Sequence, residues 1–405
     1  MSAHFSQSEW QKITQLFDKI SNDPQLAESF GLPEQRDGSV VIGSFNIRKL
    51  GGVGKRTPES WEFLTKIIKR FDLMAVQEVM DDSSGLKYLT SQAGENYTQI
   101  MSDTSGAKPG KRGNPERLGF IYNMDNVRHT GLASDITIDR TEIINILYES
   151  RKELGEMFTE YNKEHKQWEE ESAVRKSQGK RAKARPVKSL PRFVTFIRQP
   201  HLVSFRIAGA PNSKPYEFLA VNAHLLYGIN KQEREWEFKA LIEWLTIRAK
   251  YIDKLYHPNL LLLGDCNLDF DTSPAMAVDI ASFIKNLNQT VLKSKKAASA
   301  NFPMLSEHPQ HGYLKTALRQ KATYDQIGLF TNDSRLPKSQ DNQTAASTAD
   351  GFNYGVFNIA NLIGQALHGK NIEELTTTQR KAIFKKAEFD ISDHMPIWMR
   401  LKKPT

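Results

Sequence analysis

At 405 residues, 39% hydrophobic and 25% charged, the chain has the composition of a soluble globular protein with a substantial core. No apolar run approaches the ~20 residues that a membrane span needs, and the first residues show neither the basic nor the apolar stretch of an export signal. The single cysteine, Cys266, excludes an internal disulfide and a multi-cysteine zinc site; a cytoplasmic protein with no membrane and no disulfide-linked partner is expected. A formal net charge of +8 favours a polyanionic partner.

In chain order, Trp10, Ile13, Phe17 and Ile20 fall at helical spacing and make residues 1–38 an N-terminal helical lead-in. "VVIGSFNI" (40–47) reads as a buried strand. "TPESWEFLTKIIKR" (57–70) opens with a Thr cap, Pro at the first helical position and acid in the first turn, and predicts a helix. "FDLMAVQEV" (71–79), "RLGFIYN" (117–123), "RFVTFIR" (192–198), "HLVSFRI" (201–207) and "YEFLAVNAH" (216–224) read as strands, the last two joined by the turn sequence "AGAPNSKP". Trp236, Ala240, Leu241, Trp244, Leu245 and Ile252 mark one face of a helix over 230–254. "NLLLLG" (259–264), "TYDQIGLF" (323–330) and "MPIWMRL" (395–401) complete the strands.

Two segments break this rhythm. Residues 141–190 are charged and helical in character, ending in "RKSQGKRAKARPVK", seven Lys/Arg in fourteen residues. Residues 331–388 begin loop-like and carry a predicted helix over 373–386. Both read as insertions in one domain over 39–402.

The strands share a habit: each delivers polar side chains at its end. "VVIGSF" ends on Asn46, "LMAV" on Gln77 and Glu78, "LAVNA" on His224, and "LLLLG" on Asp265 and Asn267. Asp325 opens a strand, and Ser392, Asp393 and His394 precede the last one. Buried carboxylates without partners cost several kcal/mol each, so these must pair or bind a cation. Hard oxygen donors such as Asn46, Glu78, Asp265, Asn267 and Asp393 suit Mg²⁺ or Mn²⁺. A histidine beside a carboxylate suits proton transfer.

The motifs "FNIR" (45), "QEV" (77), "ERLGFIYN" (116), "NAHL" (222), "GDCN" (264), "YDQI" (324) and "SDH" (392) occur in an order that resembles the endonuclease/exonuclease/phosphatase superfamily, the metal-dependent phosphodiesterases typified by pancreatic DNase. The resemblance implies an α/β fold, a four-layer α/β/β/α sandwich of the DNase I type, with the site at one edge of two central sheets. It implies that Glu78 is the principal metal ligand, with Asn46 beside it and Asp393 at the metal edge. Asp265 and Asn267 would position the attacking water and the scissile phosphate. His394 would be the catalytic histidine held by Asp325, and His224 with Glu116 a second such pair. Arg192 matches a phosphate-contacting arginine.

Within that superfamily, "YDQI" is closer to the nucleases than to the inositol phosphatases, and His224 separates the chain from the abasic-site repair branch. The expectation is a Mg²⁺-dependent endonuclease acting on DNA or also on RNA. The alternatives are a phosphatase or phosphodiesterase for an inositol or lipid headgroup, and a catalytically idle nucleic-acid-binding member. The basic run 175–188 reads equally as a solvated face or as a grip on nucleic-acid backbone, and the run 108–112 reads as a solvated face.

Overall fold

"NLLLLGD" shows how this sequence builds its interior. Leu261 and Leu263 join the core cluster between the two sheets, whereas Leu260 and Leu262 join a second cluster under a covering helix. Successive side chains of a strand point to opposite faces, so four leucines in a row require cover on both sides. A strand of this kind sits in the middle of a layered structure.

In the computed structural model, which describes residues 4–104, 115–186, 188, 190, 192–228, 230–268, 282, 285–292, 298–345 and 351–405, twelve strands form two six-stranded sheets. They are β1 (Ser39–Leu50), β2 (Leu73–Met80), β3 (Tyr97–Met101), β4 (Glu116–Asn123), β5 (Val127–Asp135), β6 (His201–Ile207), β7 (Tyr216–His224), β8 (Asn259–Asp265), β9 (Ser299–Asn301), β10 (Asp325–Thr331), β11 (Asn353–Val356) and β12 (Ile397–Lys402). The first sheet has the order β11-β12-β1-β2-β4-β3, the second β5-β6-β7-β8-β10-β9. Each has one parallel pair at its centre, β1 with β2 and β7 with β8, and antiparallel neighbours outside it.

Helices α1 (Gln7–Ser21), α2 (Pro24–Ser29), α3 (Pro58–Ile68) and α4 (Ser84–Ala93) precede the long helices α5 (Arg140–Glu149), α6 (Arg151–Ser177) and α7 (Lys231–Lys250). Helices α8 (Ile359–His368) and α9 (Thr377–Asp390) follow. The lead-in belongs to the outer layer of the first sheet: Phe17 of α1 meets Phe63 of α3 at 5.4 Å and Phe357, just before α8, at 5.7 Å, both edge-on. Across the other sheet, α7 lays Phe238, Leu241, Ile242 and Leu245 over Leu260 and Leu262. The result is helix, sheet, sheet, helix.

Three expectations need adjustment. Residues 192–198 form no strand; Glu237 of α7 takes the Ile197 amide at 2.7 Å, and ladder pairing begins only beyond Pro200, which has no amide to give. The segment 331–388 is woven into the sandwich, supplying edge strand β11 and the apolar helix α8. The charged segment is two helices, as its composition suggests, but only Leu154 of α5 and α6 is buried.

Gly264 sets the spacing at the end of β8. Its φ is +155°, and a Cβ there would stand 1.9 Å from the Ala223 carbonyl oxygen on the paired strand. Gly264→Ala is therefore expected to destabilise the fold by roughly 3 kcal/mol or more; urea unfolding checks this, and Gly155→Ala, in open space inside helix α6, is the control expected to lose no stability.

Candidate active site

The parallel strands end on the same edge of the sandwich, and their antiparallel neighbours begin there. In register, Asn46 faces Gln77, His224 faces Asp265, Asp265 faces Asp325, and Glu116 faces Met80. Residues far apart in sequence thus meet because strand direction alternates. Both β1 and β2 carry a register shift at this edge, between Asn46 and Leu50 and between Val76 and Val79; such bulges re-aim side chains. Lys49, Glu78 and Asn267 have φ of 49°, 58° and 49°, left-handed values that are costly for non-glycine residues and that cluster at functional sites.

Asp265 is the hub. Its Oδ2 accepts from Asn46 Nδ2 at 3.0 Å and lies 3.4 Å from His394 Nε2 and 3.6 Å from His224 Nε2. Its Oδ1 accepts from the Asn267 amide at 2.8 Å. Each histidine is backed by its own carboxylate: His394 Nδ1 is 2.8 Å from Asp325 Oδ2, and His224 Nδ1 is 3.2 Å from Glu116 Oε2. Asn46 Nδ2 also donates to Glu78 Oε1 at 3.2 Å, and the Lys49 amide donates to Glu78 Oε2 at 2.8 Å.

Burial penalises the charged forms of Asp265, His394, Asp325 and Glu116, and the partners decide the outcome at each. Burial raises Asp265, but the two histidines, Asn46 and the Asn267 amide outweigh it and hold the carboxylate ionised below its usual range. His394 is driven well above an ordinary histidine: burial opposes protonation, and Asp325 and Asp265 overcome it. Burial wins at Asp325, which is raised despite His394. Glu116 is lowered to about 2, its burial offset by His224 and Arg198.

A cation would find oxygen donors in place. Asn46 Oδ1 and Asp393 Oδ1 are buried without a hydrogen-bond partner, an expensive condition that an ion relieves. Asp265, Asp325 and His394 form another group, with one ligand atom each within 4.8 Å of the others, which could hold a metal ion. Asp393 is half-exposed, 3.9 Å from Arg48 Nε.

Arg192 is exposed and pairs with Glu149 at 3.4 Å; the structure does not bring it into this constellation. Arg198 is the arginine found there. Its guanidinium forks onto both oxygens of Glu116 and donates to the His224 and Leu225 carbonyls at 3.3 and 3.2 Å, the bidentate geometry that fixes a carboxylate most firmly. In the sequence it carries no signal of its own, because "RFVTFIR" reads as a strand. Ser392 was singled out only by position; its Oγ donates to the Asn46 carbonyl at 2.6 Å and accepts the Arg48 and His394 amides at 3.1 and 3.2 Å, tying the last strand to the first. Arg175 and Lys176 lie in the last turn of α6, and residues 178–186 and 188 fold back along it, where Lys183 meets Glu171 at 2.6 Å and Lys188 meets Glu164 at 2.8 Å. The run 108–112 has its residues outside those described.

No family model matches the chain. Over 95 residues it is 30% identical to deoxyribonuclease-1 of Oryctolagus cuniculus, a stretch covering 22% of this chain and 32% of that protein; the match spans about a third of that relative's length. Among solved structures, an endonuclease/exonuclease/phosphatase family protein from Bacteroides thetaiotaomicron is similar over 90% of this chain and 94% of its own, at 12% identity and a TM-score of 0.44. The human Nocturnin catalytic domain is similar over 91% and 96%, at 11% identity and a TM-score of 0.43. Overlays this loose add nothing to the fold, which rests on the strand order above. The resemblance is to the endonuclease/exonuclease/phosphatase superfamily, with its DNase I-like α/β sandwich. No described helix is long and apolar enough to cross a membrane.

Glu116 ties charge to stability. Its folded value of about 2 lies below the ordinary 4.5, so its contribution is fully present above pH 4.5 and lost as pH falls through about 2. The melting-temperature gap between the wild type and Glu116→Gln should be widest above pH 4.5 and close towards pH 2; thermal melts across that window check it.

Proposed function

We propose that this chain is a member of the superfamily it resembles and a Mg²⁺-dependent endonuclease that hydrolyses phosphodiester bonds in DNA. The observation that supports this best is one buried carboxylate, Asp265, flanked by two histidines that are each backed by a carboxylate, with Asn46 and Glu78 alongside. A phosphodiester needs that set: an oriented water, a proton donor at the leaving oxygen and compensation for charge gathering on phosphorus.

In this reading Glu78 and Asn46, with Asp393 at the edge, would hold the metal ion, which would supply Lewis-acid polarisation of the phosphoryl group and offset its negative charge. Asp265 accepts a hydrogen bond from the attacking water, and Asn267 helps seat the phosphate. His394, held cationic by Asp325 and Asp265, donates to a phosphoryl or leaving oxygen. His224, oriented by Glu116, is placed to take or give the second proton. Arg198 fixes Glu116 and is a positioning residue. The net charge of +8 suits a long polyanion, although Lys183 and Lys188 spend their charge on Glu171 and Glu164 of α6.

Nicking of circular DNA tests the reading. Chelator should abolish it and Mg²⁺ restore it, and Glu78→Ala should remain folded yet inactive at ordinary metal concentrations; full turnover in chelator would sink the metal assignment. His394→Ala should lose the ~10²–10⁴-fold typical of a general acid or base. Asp325→Asn should lose much of the same effect, and the double variant less than the sum, because the pair acts as one unit. Strictly additive losses would separate the two residues.

A further inference from the structure

Beside the proposed metal edge lies a pocket of about 470 Å³, within the ~300–1,000 Å³ range of small-molecule sites. One wall is the loop after β1, with Gly51, Gly52 and Lys55; the other is the end of α9, with Glu388 and Phe389. It connects to the site through Lys49, whose amide binds Glu78, and through Arg48, next to Asp393. The two walls are bolted together by Arg56, which donates to the Asp390 carbonyl at 2.8 Å and the Arg48 carbonyl at 2.5 Å. The cavity is therefore built into the fold.

Its chemistry has two parts. Arg48, Lys49, Lys55 and Arg56 bring four positive charges against Asp82 and Glu388, and Glu388 is already engaged by Arg319 at 2.6 Å. Facing them, Met80 and Phe389 offer apolar surface, and Phe389 is 55% exposed with His4 against it edge-on at 5.2 Å. A large aromatic ring left open beside a cluster of cations suits a ligand with a flat ring at one end and an anion at the other. A nucleotide has both parts.

We propose that this pocket is a nucleotide subsite, receiving the residue next to the scissile phosphate with its base laid on Phe389 and its outer phosphate between Lys49 and Lys55. A base seated there has left any duplex stack, so single-stranded nucleic acid or an unpaired end binds more tightly than intact duplex. This rests on the nuclease reading and deepens it.

The test is equilibrium binding in chelator, which needs no turnover. Single-stranded oligonucleotides carrying 2-aminopurine at either end in turn are titrated against the wild type, Phe389→Ala, Phe389→Trp and Lys55→Gln. Stacking should quench the fluorophore in the wild type. Phe389→Ala should abolish the quench and weaken binding by roughly 5- to 100-fold, and Phe389→Trp should restore both. Lys55→Gln should flatten the slope of log affinity against log salt by about 0.7. A duplex of the same sequence should bind more weakly than the single strand. Unchanged affinity and quench in a folded Phe389→Ala variant, or equal affinity for duplex and single strand, would overturn the subsite. Turnover of bis(p-nitrophenyl) phosphate by the wild type with Mg²⁺ separately tests the nuclease reading: hydrolysis there, with Phe389→Ala silent in binding, would leave that reading standing and remove only the pocket's role.

Discussion

A carboxylate that is 1% exposed, Asp265, is the constraint around which the rest of this edge is arranged. Moving such a group out of water costs several kcal/mol even after relaxation, and no single partner repays it. The repayment is distributed among an amide from β1, a backbone N–H two residues on, and two imidazoles from β7 and the segment before β12. Both sheets must be in register for all four to arrive. The site and the sandwich are therefore held together by the same interactions.

That arrangement explains the supporting cast. Asp325 sits directly across from Asp265 on the neighbouring strand, and two like charges this close cannot both be ionised without a cation between them. His394 is that cation. Thr316 pins the start of β10 by accepting the Tyr324 and Asp325 amides at 2.9 and 3.0 Å, and its carbonyl accepts the Met395 amide at 2.7 Å. On the other flank, buried Glu237 accepts the Ile197 and Leu226 amides and so carries the loop that presents Arg198 to Glu116. In the proposed reaction these residues touch no substrate; they keep the two histidines pointed at one oxygen.

Central strands were legible because their chemistry is one-sided: "VVIGSF", "LMAV" and "LLLLG" have no solvent face, and nothing but a covered sheet accommodates them. The polar residues at their ends were legible for the same reason, as the first amides and carboxylates that these apolar runs reach. Edge strands were not. β5, "VRHTGLASD", is largely exposed and polar, and β9 is three residues long, so neither has a periodic apolar signal. Helix α8 did have one, in the Asn358 cap and the apolar Ile359, Leu362 and Ile363, hidden in a stretch whose flanks look like loop. Arg198 was beyond reach because bidentate pairing with a residue 82 positions away leaves no local trace.

Substrate class is the point on which the proposed function stands or falls, since a fold does not by itself fix the chemistry it carries. One panel decides it: circular DNA, linear DNA, RNA and a phosphoinositide, each incubated with the protein in Mg²⁺ and in chelator. The account predicts Mg²⁺-dependent cleavage of DNA, circular molecules included, with the phosphoinositide left intact. Release of phosphate from the phosphoinositide while every nucleic acid stays whole would contradict it.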